Sequence, residues 1–361
     1  MTEPARQIDE GARMSVELTN ICNLRCGYCF RDEDVLYHTP AKFFPVELLR
    51  GILRDARETC GIESASFTGG EVTIHPNFAE IVEMIAAEGM RFGFVTNGWH
   101  FDRVHPVLMR HRESVSVVGF SLDGATREAH DRWRGEGSFV RLMRGVARCY
   151  MSGIPFLFKV GIRQDTVPQL QEIALLAARL GARAVHFAHL LPTSSGAEAE
   201  LSLSHAERTA AEQEVAILSK IFKMEVGVVT GYYNVDAAPP CTALRGTSCN
   251  VDYRGRLSLC CNLSGYRGAS GETDVVADLN LEPFSSAYPR LRQLAHEQLE
   301  RRRVAIEQRR ASGAEIDLYT GSPCLFCLQS FGKIPWRDAA GGSRSLPVLP
   351  TARPESRVVP A

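Results

Sequence analysis

The chain has 361 residues, 45% hydrophobic and 23% charged, a balance that suits a soluble globular protein of one large domain plus a smaller one. Its 41 Lys and Arg nearly cancel its 42 Asp and Glu, which argues against a nucleic-acid-coating or anionic-membrane protein, since those partners demand a basic excess. With no signal-peptide-like opening and no run of about 18 apolar residues, the expected location is the cytoplasm, where the 11 cysteines stay reduced and point to metal or redox chemistry.

From Met14 to Leu191, short apolar runs alternate with helical periodicities. Strands are predicted at Ser15–Leu18, Ser64–Phe67, Phe92–Thr96, Val115–Leu122, Phe156–Ile162 and Ala184–Leu190. Helices are predicted between them at Pro45–Thr59, Phe78–Glu88, Val104–Arg110, Phe139–Met151 and Val167–Leu180. Pro45 and Pro168 sit near helix starts, and Gly153 and Gly181 sit just past helix ends. Strands alternating with helices imply an α/β fold with a parallel sheet. A curled, incomplete barrel and an open doubly wound sheet both fit, and periodicity does not choose between them.

After Pro192 the texture changes. Thr193–Glu200 reads as a linker or loop, followed by a helix around Ala206–Phe222. From Gly231 to about Trp336 the cysteines return with little strand–helix alternation. Arg290–Arg310 reads as a helix with a solvated face laced with ion pairs. Gly341–Ala361, rich in Pro, Ser and Arg, reads as a disordered tail. The expected organisation is an N-terminal segment at 1–13, an α/β domain at 14–230, a small C-terminal α+β domain at 231–336 and a disordered tail at 337–361.

Directly after the first strand comes Cys22-Asn-Leu-Arg-Cys26-Gly-Tyr-Cys29. Three thiolates in CxxxCxxC spacing can hold three irons of a 4Fe–4S cube and leave the fourth iron open for a small molecule. A zinc site is the competing reading, but zinc favours four closed ligands and no fourth lies close in sequence. With its aromatic residue before the last cysteine, this motif resembles the signature of the radical S-adenosylmethionine (SAM) superfamily. The resemblance implies a partial (β/α)6 barrel with its site at the C-terminal ends of the strands. It also implies that the open iron chelates SAM, whose reductive cleavage gives a 5′-deoxyadenosyl radical.

Further residues resemble the family's SAM contacts. Thr68-Gly69-Gly70-Glu71 resembles the GGE motif, whose backbone approaches the SAM amino group, and glycine lets a ligand come close to the main chain. Asn97, Ser121 and Asp123 end the third and fourth strands, and Arg163 ends the fifth, where it could face the SAM carboxylate or form a surface ion pair. The stretch from Ser121 to Phe139 resembles one found in family members with C-terminal SPASM or Twitch extensions. Within it, His130 and Asp131 are expected to order a loop and a helix start.

The C-terminal cysteines resemble a Twitch domain, a shortened SPASM holding one auxiliary 4Fe–4S cluster. Cys241, Cys260, Cys324 and Cys327 match its pattern, with Cys249 as an alternative ligand and structural zinc as the competing occupant. Asp252-Tyr-Arg-Gly255 reads as a hairpin turn. Strand alternation is expected to point Cys260 and Cys261 to opposite faces, and Cys60 and Cys149 read as inert core thiols.

The expected cofactors are therefore a radical SAM 4Fe–4S cluster, an auxiliary 4Fe–4S cluster and SAM. The expected partners are a small-molecule or peptide substrate and an external flavodoxin- or ferredoxin-type electron donor, with no nucleic acid or membrane. Hydrogen abstraction from an unactivated C–H bond is expected to lead to net oxidation by dehydrogenation, oxidative decarboxylation or cross-linking. A small natural-product metabolite, such as a sugar, cyclitol or nucleoside, is favoured, because the thirteen residues before the first strand are too few for a leader-binding domain. A maturase of ribosomally made peptides is the alternative, and a non-catalytic zinc or iron–sulfur interaction protein is the rival outside enzymes. Tyr28, Trp99, His189, Tyr232 and Tyr233 are candidates for quenching a substrate radical.

Overall fold

A computed structural model describes residues 12–194 and 200–338. The predicted segments at 1–13 and 337–361 fall almost wholly outside the described residues, as does most of the Thr193–Glu200 linker. Strands β1 (Ala12–Glu17), β2 (Ile62–Thr68), β3 (Arg91–Thr96), β4 (Val115–Leu122), β5 (Phe156–Ile162) and β6 (Ala184–His189) lie side by side in chain order, each parallel to the next. The crossovers carry α1 (Val46–Cys60), α2 (Phe78–Ala87), α3 (Phe101–Arg110), α4 (Arg127–Arg134), α5 (Ser138–Ser152) and α6 (Leu170–Arg179). Gly61 and Gly153, both left-handed, close α1 and α5 with backbone caps. β1 to β6 run in chain order with no reversal, unlike a doubly wound sheet, and the sheet stays open at both ends, as a partial barrel does.

Helix α7 (His205–Ile221) opens with a capping box between Ser204 and Glu207 and leads into a seventh parallel strand, β7 (Glu225–Thr230). Pattern reading missed β7, whose half-exposed residues and internal glycine blur the period of two at the sheet's edge. At the other edge, β8 (Ser248–Val251) pairs parallel with β1, and β9 (Arg256–Ser258) and β10 (Val275–Asp278) follow antiparallel. The expected boundary at 230/231 therefore does not interrupt the sheet. Helices α8 (Phe284–Ala311), α9 (Leu318–Gly321) and α10 (Pro323–Ser330) complete this end. No helix among the described residues is long and apolar enough to cross a membrane.

The two faces of the sheet differ in chemistry. Val16, Phe67, Phe94, Phe120, Phe158 and Phe187 belong to the continuous core, each at most 2% exposed. Burying each aromatic side chain stabilises the fold by about 1.5–3 kcal/mol. Alternating with them, Ser15, Ser66, Ser121, Lys159 and Gly161 are only part-buried. Parallel strands packed on both faces are near-continuously apolar. Here the core aromatics fall on one face, and the other mixes Ser15, Ser66, Ser121 and Lys159 with Val95, Val117 and Leu157, which leaves a partly polar inner wall for ligands.

Candidate functional site

The cysteine loop starts where β1 ends and is fastened to the turn after β2. Gly70 N–H donates to Thr19 O at 3.0 Å, and Glu71 N–H donates to Ile21 O at 2.9 Å. A Cβ on residue 70 would lie 1.8 Å from Ile21 O, so only glycine permits this approach. Gly69 adds a φ of +135°, which side-chain-bearing residues rarely adopt. The two glycines thus admit the loop's own backbone.

Glu71, 2% exposed, accepts from Thr73 N (3.1 Å), Thr73 Oγ1 (2.6 Å), Thr96 Oγ1 (2.7 Å) and Asn97 N (2.8 Å). Asn97 Nδ2 then donates to Asn23 Oδ1 inside the cysteine loop at 2.9 Å. Glu71 and Asn97 therefore lock the ends of β2 and β3 to the loop. Asn23, unremarked in the motif, is the residue through which they do so.

Tyr28 carries the second fastening. Its hydroxyl donates to Asp123 Oδ2 at 2.5 Å and accepts from Arg134 Nη2 at 3.0 Å. Asp123 also accepts from Arg134 Nε and, at 2.7 Å, from Arg163 Nη1. Arg163, wholly buried, donates further to Asp123 O (3.0 Å) and Asp165 Oδ1 (2.8 Å), and its guanidinium lies 4.9 Å from the Tyr28 ring centroid. It is thus an internal anchor and no surface ion pair. Burial works to raise the Asp123 carboxyl, but the guanidinium groups of Arg134 and Arg163 outweigh it and hold the group far below the carboxylate range.

His130 and Asp131 order this rim as expected. Asp123 N–H donates to His130 Nδ1 at 3.2 Å, and burial, helped by Arg134, lowers the imidazole to about 4. Asp131 accepts from Gly137 N, Ser138 Oγ and Phe139 N at 2.7–2.9 Å and so caps α5. Ser121 stands part-exposed at the end of β4 on the inner wall.

Cys22, Cys26 and Cys29 are all part-buried. Burial raises the Cys22 thiol, with Cys26 and Glu71 adding to the shift, and burial pushes Cys26 up to about 11 against the pull of Arg134. Such thiols hold their protons until a metal displaces them. The loop also leaves Asn23 Nδ2 buried without a partner among the described residues, a donor suited to an acceptor-bearing group. Among the described residues no three Cys, His, Asp or Glu side chains converge closely enough for a single metal ion. A 4Fe–4S cube takes each thiolate at a separate iron, so its ligands stand further apart. The three cysteines and their donors fit such a cube.

The C-terminal thiols gather separately. Cys241 acts electrostatically on Cys260, Cys324 and Cys327, Cys324 acts on Cys327, and Gly231 N–H donates to Cys324 Sγ at 3.3 Å. Around them Tyr232 Oη, Gln298 Oε1, Arg302 Nε and Ser322 Oγ are buried without partners among the described residues, as befits a site built around a polar group. Arg302, 1% exposed, donates to Asn234 O and to Gly321 O, the latter at 2.8 Å, and its charge acts on Cys327, Cys241 and Cys324. Gln298 Nε2 lies 3.8 Å from Cys327 Sγ. These two residues turn inward from a helix whose sequence reads as solvated, although its Arg303–Glu300 and Arg303–Glu307 pairs are indeed on the surface.

Two expectations about cysteines are corrected. Cys249 lies opposite Met14 in β1, is fully enclosed, and has Cys60 as its one electrostatic thiol neighbour, so it belongs to the helix-covered face and is no ligand candidate. Cys260 and Cys261 lie beyond the end of β9, where strand alternation no longer applies. Cys149 is an inert core thiol, raised by burial to about 12. Of the quenching candidates, Tyr232 adjoins the second thiol cluster. Tyr28 is engaged by Asp123, Trp99 lies under Arg141, His189 binds Glu212, and the Tyr233 hydroxyl donates to Ile316 O.

The protein-family model for the radical SAM superfamily matches residues 16–177. Mycofactocin maturase MftC of Mycobacterium tuberculosis (strain ATCC 25618 / H37Rv) is 30% identical over 234 residues, covering 63% of this chain and 56% of that one. The chain thus spans little more than half the length of this curated relative. Among solved structures, Streptococcus suis SuiB bound to S-adenosylmethionine superposes with a TM-score of 0.64 at 14% identity, over 78% of this chain and 68% of that one. SuiB is also known bound to the precursor peptide SuiA. The structure of anSMEcpe with bound AdoMet gives a TM-score of 0.62 at 13% identity, over 91% of this chain and 97% of that one. At such identities the structural likeness bears on the fold, a partial barrel with an open sheet. The family as a whole implies a 4Fe–4S cluster and SAM. Residues 16–177 of this chain thus match the radical SAM superfamily model.

Proposed function

We propose that the chain is a SAM-dependent radical enzyme that modifies a ribosomally made peptide. The observation that carries the chemistry is the CxxxCxxC loop fastened to the rim of a parallel partial barrel by Gly70, Asn97 and Tyr28. Cys22, Cys26 and Cys29 would hold the 4Fe–4S cluster, and cluster and SAM together supply a carbon-centred radical when bound. The part-exposed Ser121 offers a hydroxyl to SAM on the inner wall. Glu71, Asp123 and Arg163 act as positioning residues, because their polar atoms are taken up in holding the loop.

Residues 231–336 form a Twitch-like region whose auxiliary 4Fe–4S cluster is held by Cys241, Cys260, Cys324 and Cys327. With four protein ligands this cluster has no open iron, so its role is to relay electrons to or from the substrate site. The peptide reading is supported by MftC, a maturase by name, and by SuiB with its precursor peptide. It replaces the small-metabolite reading, which rested on the length of chain before the first strand.

The test is anaerobic reconstitution followed by reduction with dithionite in the presence of SAM and a short peptide encoded beside the gene. A mass change in that peptide with matching 5′-deoxyadenosine is the expected result. Formation of 5′-deoxyadenosine with unaltered peptide, and with turnover of a sugar or nucleoside, would overturn the peptide reading.

A further inference from the structure

The inner wall carries a cation that no carboxylate meets. Lys159 lies in the middle of β5 between the core residues Phe158 and Val160, so its side chain turns to the inner face. It stands opposite His186 of β6, and its Nζ is 2.9 Å from His186 Nδ1. His186 Nε2 is in turn 3.1 Å from Glu225 Oε1 at the start of β7. An ammonium group only donates, so Nδ1 accepts, and the ring proton sits on Nε2 and is donated to Glu225. Burial, helped by Lys159 against the Glu225 hydrogen bond, lowers the imidazole and keeps it neutral. The group bonded to Lys159 is therefore uncharged.

The charges nearby do not make up for this. Burial lowers the Lys159 ammonium to about 8, so it stays protonated at neutral pH. Cys261 and Glu225 act on it favourably without bonding to it, and Arg13 of β1 acts unfavourably on both Lys159 and His186. Among the described residues neither Arg13 nor Lys159 makes an ion pair. An ammonium group has three N–H donors, and His186 takes one, which leaves two for an anion. A cation drawn into the interior is costly until an anion meets it.

A second observation comes from the same wall. Glu17 ends β1 shortly before the cysteine loop and is wholly buried, and its Oε1 accepts from Arg31 Nη2 at 3.0 Å. Its Oε2 is buried without a partner among the described residues, a state that calls for an N–H donor. Lys159 lies four positions, about 13 Å along the strand, below Arg163 at the rim. The wall thus offers an acceptor beside the cysteine loop and a cation deeper in the barrel.

Resting on the peptide reading above, we propose that Lys159 seats a carboxylate of the peptide substrate, with Glu17 Oε2 receiving a backbone N–H of the same peptide nearer the cysteine loop. His186 and Glu225 are positioning residues, which hold the ammonium from behind and leave its other two N–H groups to the substrate. The carboxylate is an Asp or Glu side chain or the C-terminus of the peptide, and both sources present the same chemistry. A neutral sugar or cyclitol has no group that would balance this charge.

The test uses reconstituted enzyme and the peptide encoded beside its gene, synthesised unaltered, amidated at its C-terminus, or with Asp and Glu replaced by Asn and Gln. KM is measured for each form from the modified peptide produced. In wild type one neutralised form should show a KM raised about 10–100-fold, the worth of a charged hydrogen bond, and the form affected identifies the source. Lys159→Met should raise the KM of the unaltered peptide by a similar factor, add nothing further for that neutralised form, and keep about eight irons. Lys159→Arg should recover most of the loss. Equal KM values for all forms in wild type, or a loss in Lys159→Met that is the same for charged and neutralised peptides, would overturn the seat. Iron loss in Lys159→Met would also overturn it, by assigning the ammonium to the second cluster. Formation of 5′-deoxyadenosine with no change in the unaltered peptide would instead overturn the peptide reading.

Discussion

The Tyr28 hydroxyl donates to Asp123 Oδ2 at 2.5 Å, joining the cysteine loop to the end of β4 across 95 positions of sequence. Arg134 and Arg163 converge on the same carboxylate. Removing that charge leaves two buried guanidinium groups facing each other. Asp123→Asn should cost about 3–5 kcal/mol of stability, the range for breaking a buried ion pair. Tyr28→Phe should cost about 1.5–3 kcal/mol, the range for a hydrogen bond to a charged group. Urea denaturation of the anaerobic protein measures both, and equal costs would show that the two guanidinium groups find other partners.

Gly70→Ala puts a methyl group into the carbonyl of Ile21. The loop must then leave the rim, and with it the seat of the first cluster. Iron content should fall from about eight to about four per chain, the second site being untouched. Full loading would mean that the loop can hold its cluster away from the β2 turn.

His130 introduces a pH dependence. Its imidazole is held neutral down to about 4, against an ordinary value of 6.5. Between those values the unfolded chain binds a proton that the folded chain refuses, so stability falls as pH drops through this window. The loss amounts to about 3 kcal/mol at 1.4 kcal/mol per pH unit. His130→Gln should flatten the fall when denaturation midpoints at about pH 7 and about pH 4.5 are compared. Asp123 adds a loss in the same direction at lower pH, because its depressed value stabilises the fold only while the carboxylate stays ionised.

Cys324 and Cys249 separate the ligand set from the core. Cys324→Ser should remove about four irons, whereas Cys249→Ser should remove none and act only through a buried hydroxyl, at about 1–3 kcal/mol. Iron assay with thermal melting distinguishes them. Iron loss in Cys249→Ser would return that thiol to the cluster.

Much of this architecture is legible in the sequence because it is local. Val115–Leu122 and Phe156–Ile162 carry their period of two so plainly that the strands coincide with the predicted bounds. Within Ser64–Phe67 the alternation of serine with apolar residues already shows an inner wall that is polar. The features that escaped depend on distant parts of the chain meeting. The pairing of β8 with β1 needs Cys249 beside Met14, and nothing in either segment announces it. Arg302 and Gln298 are buried because the second thiol cluster packs against α8, while a helical wheel of the same residues looks solvated. Motif reading names Glu71 and Arg163 without their partners, because Thr96, Asn97 and Asp123 reach them only when distant segments meet.

The most direct test replaces Cys22, Cys26 and Cys29 together by alanine. The reconstituted variant, reduced by dithionite in the presence of SAM, should form no 5′-deoxyadenosine above background while keeping the roughly four irons of the second site. Undiminished 5′-deoxyadenosine from that variant would contradict the assignment of radical chemistry to the loop after β1.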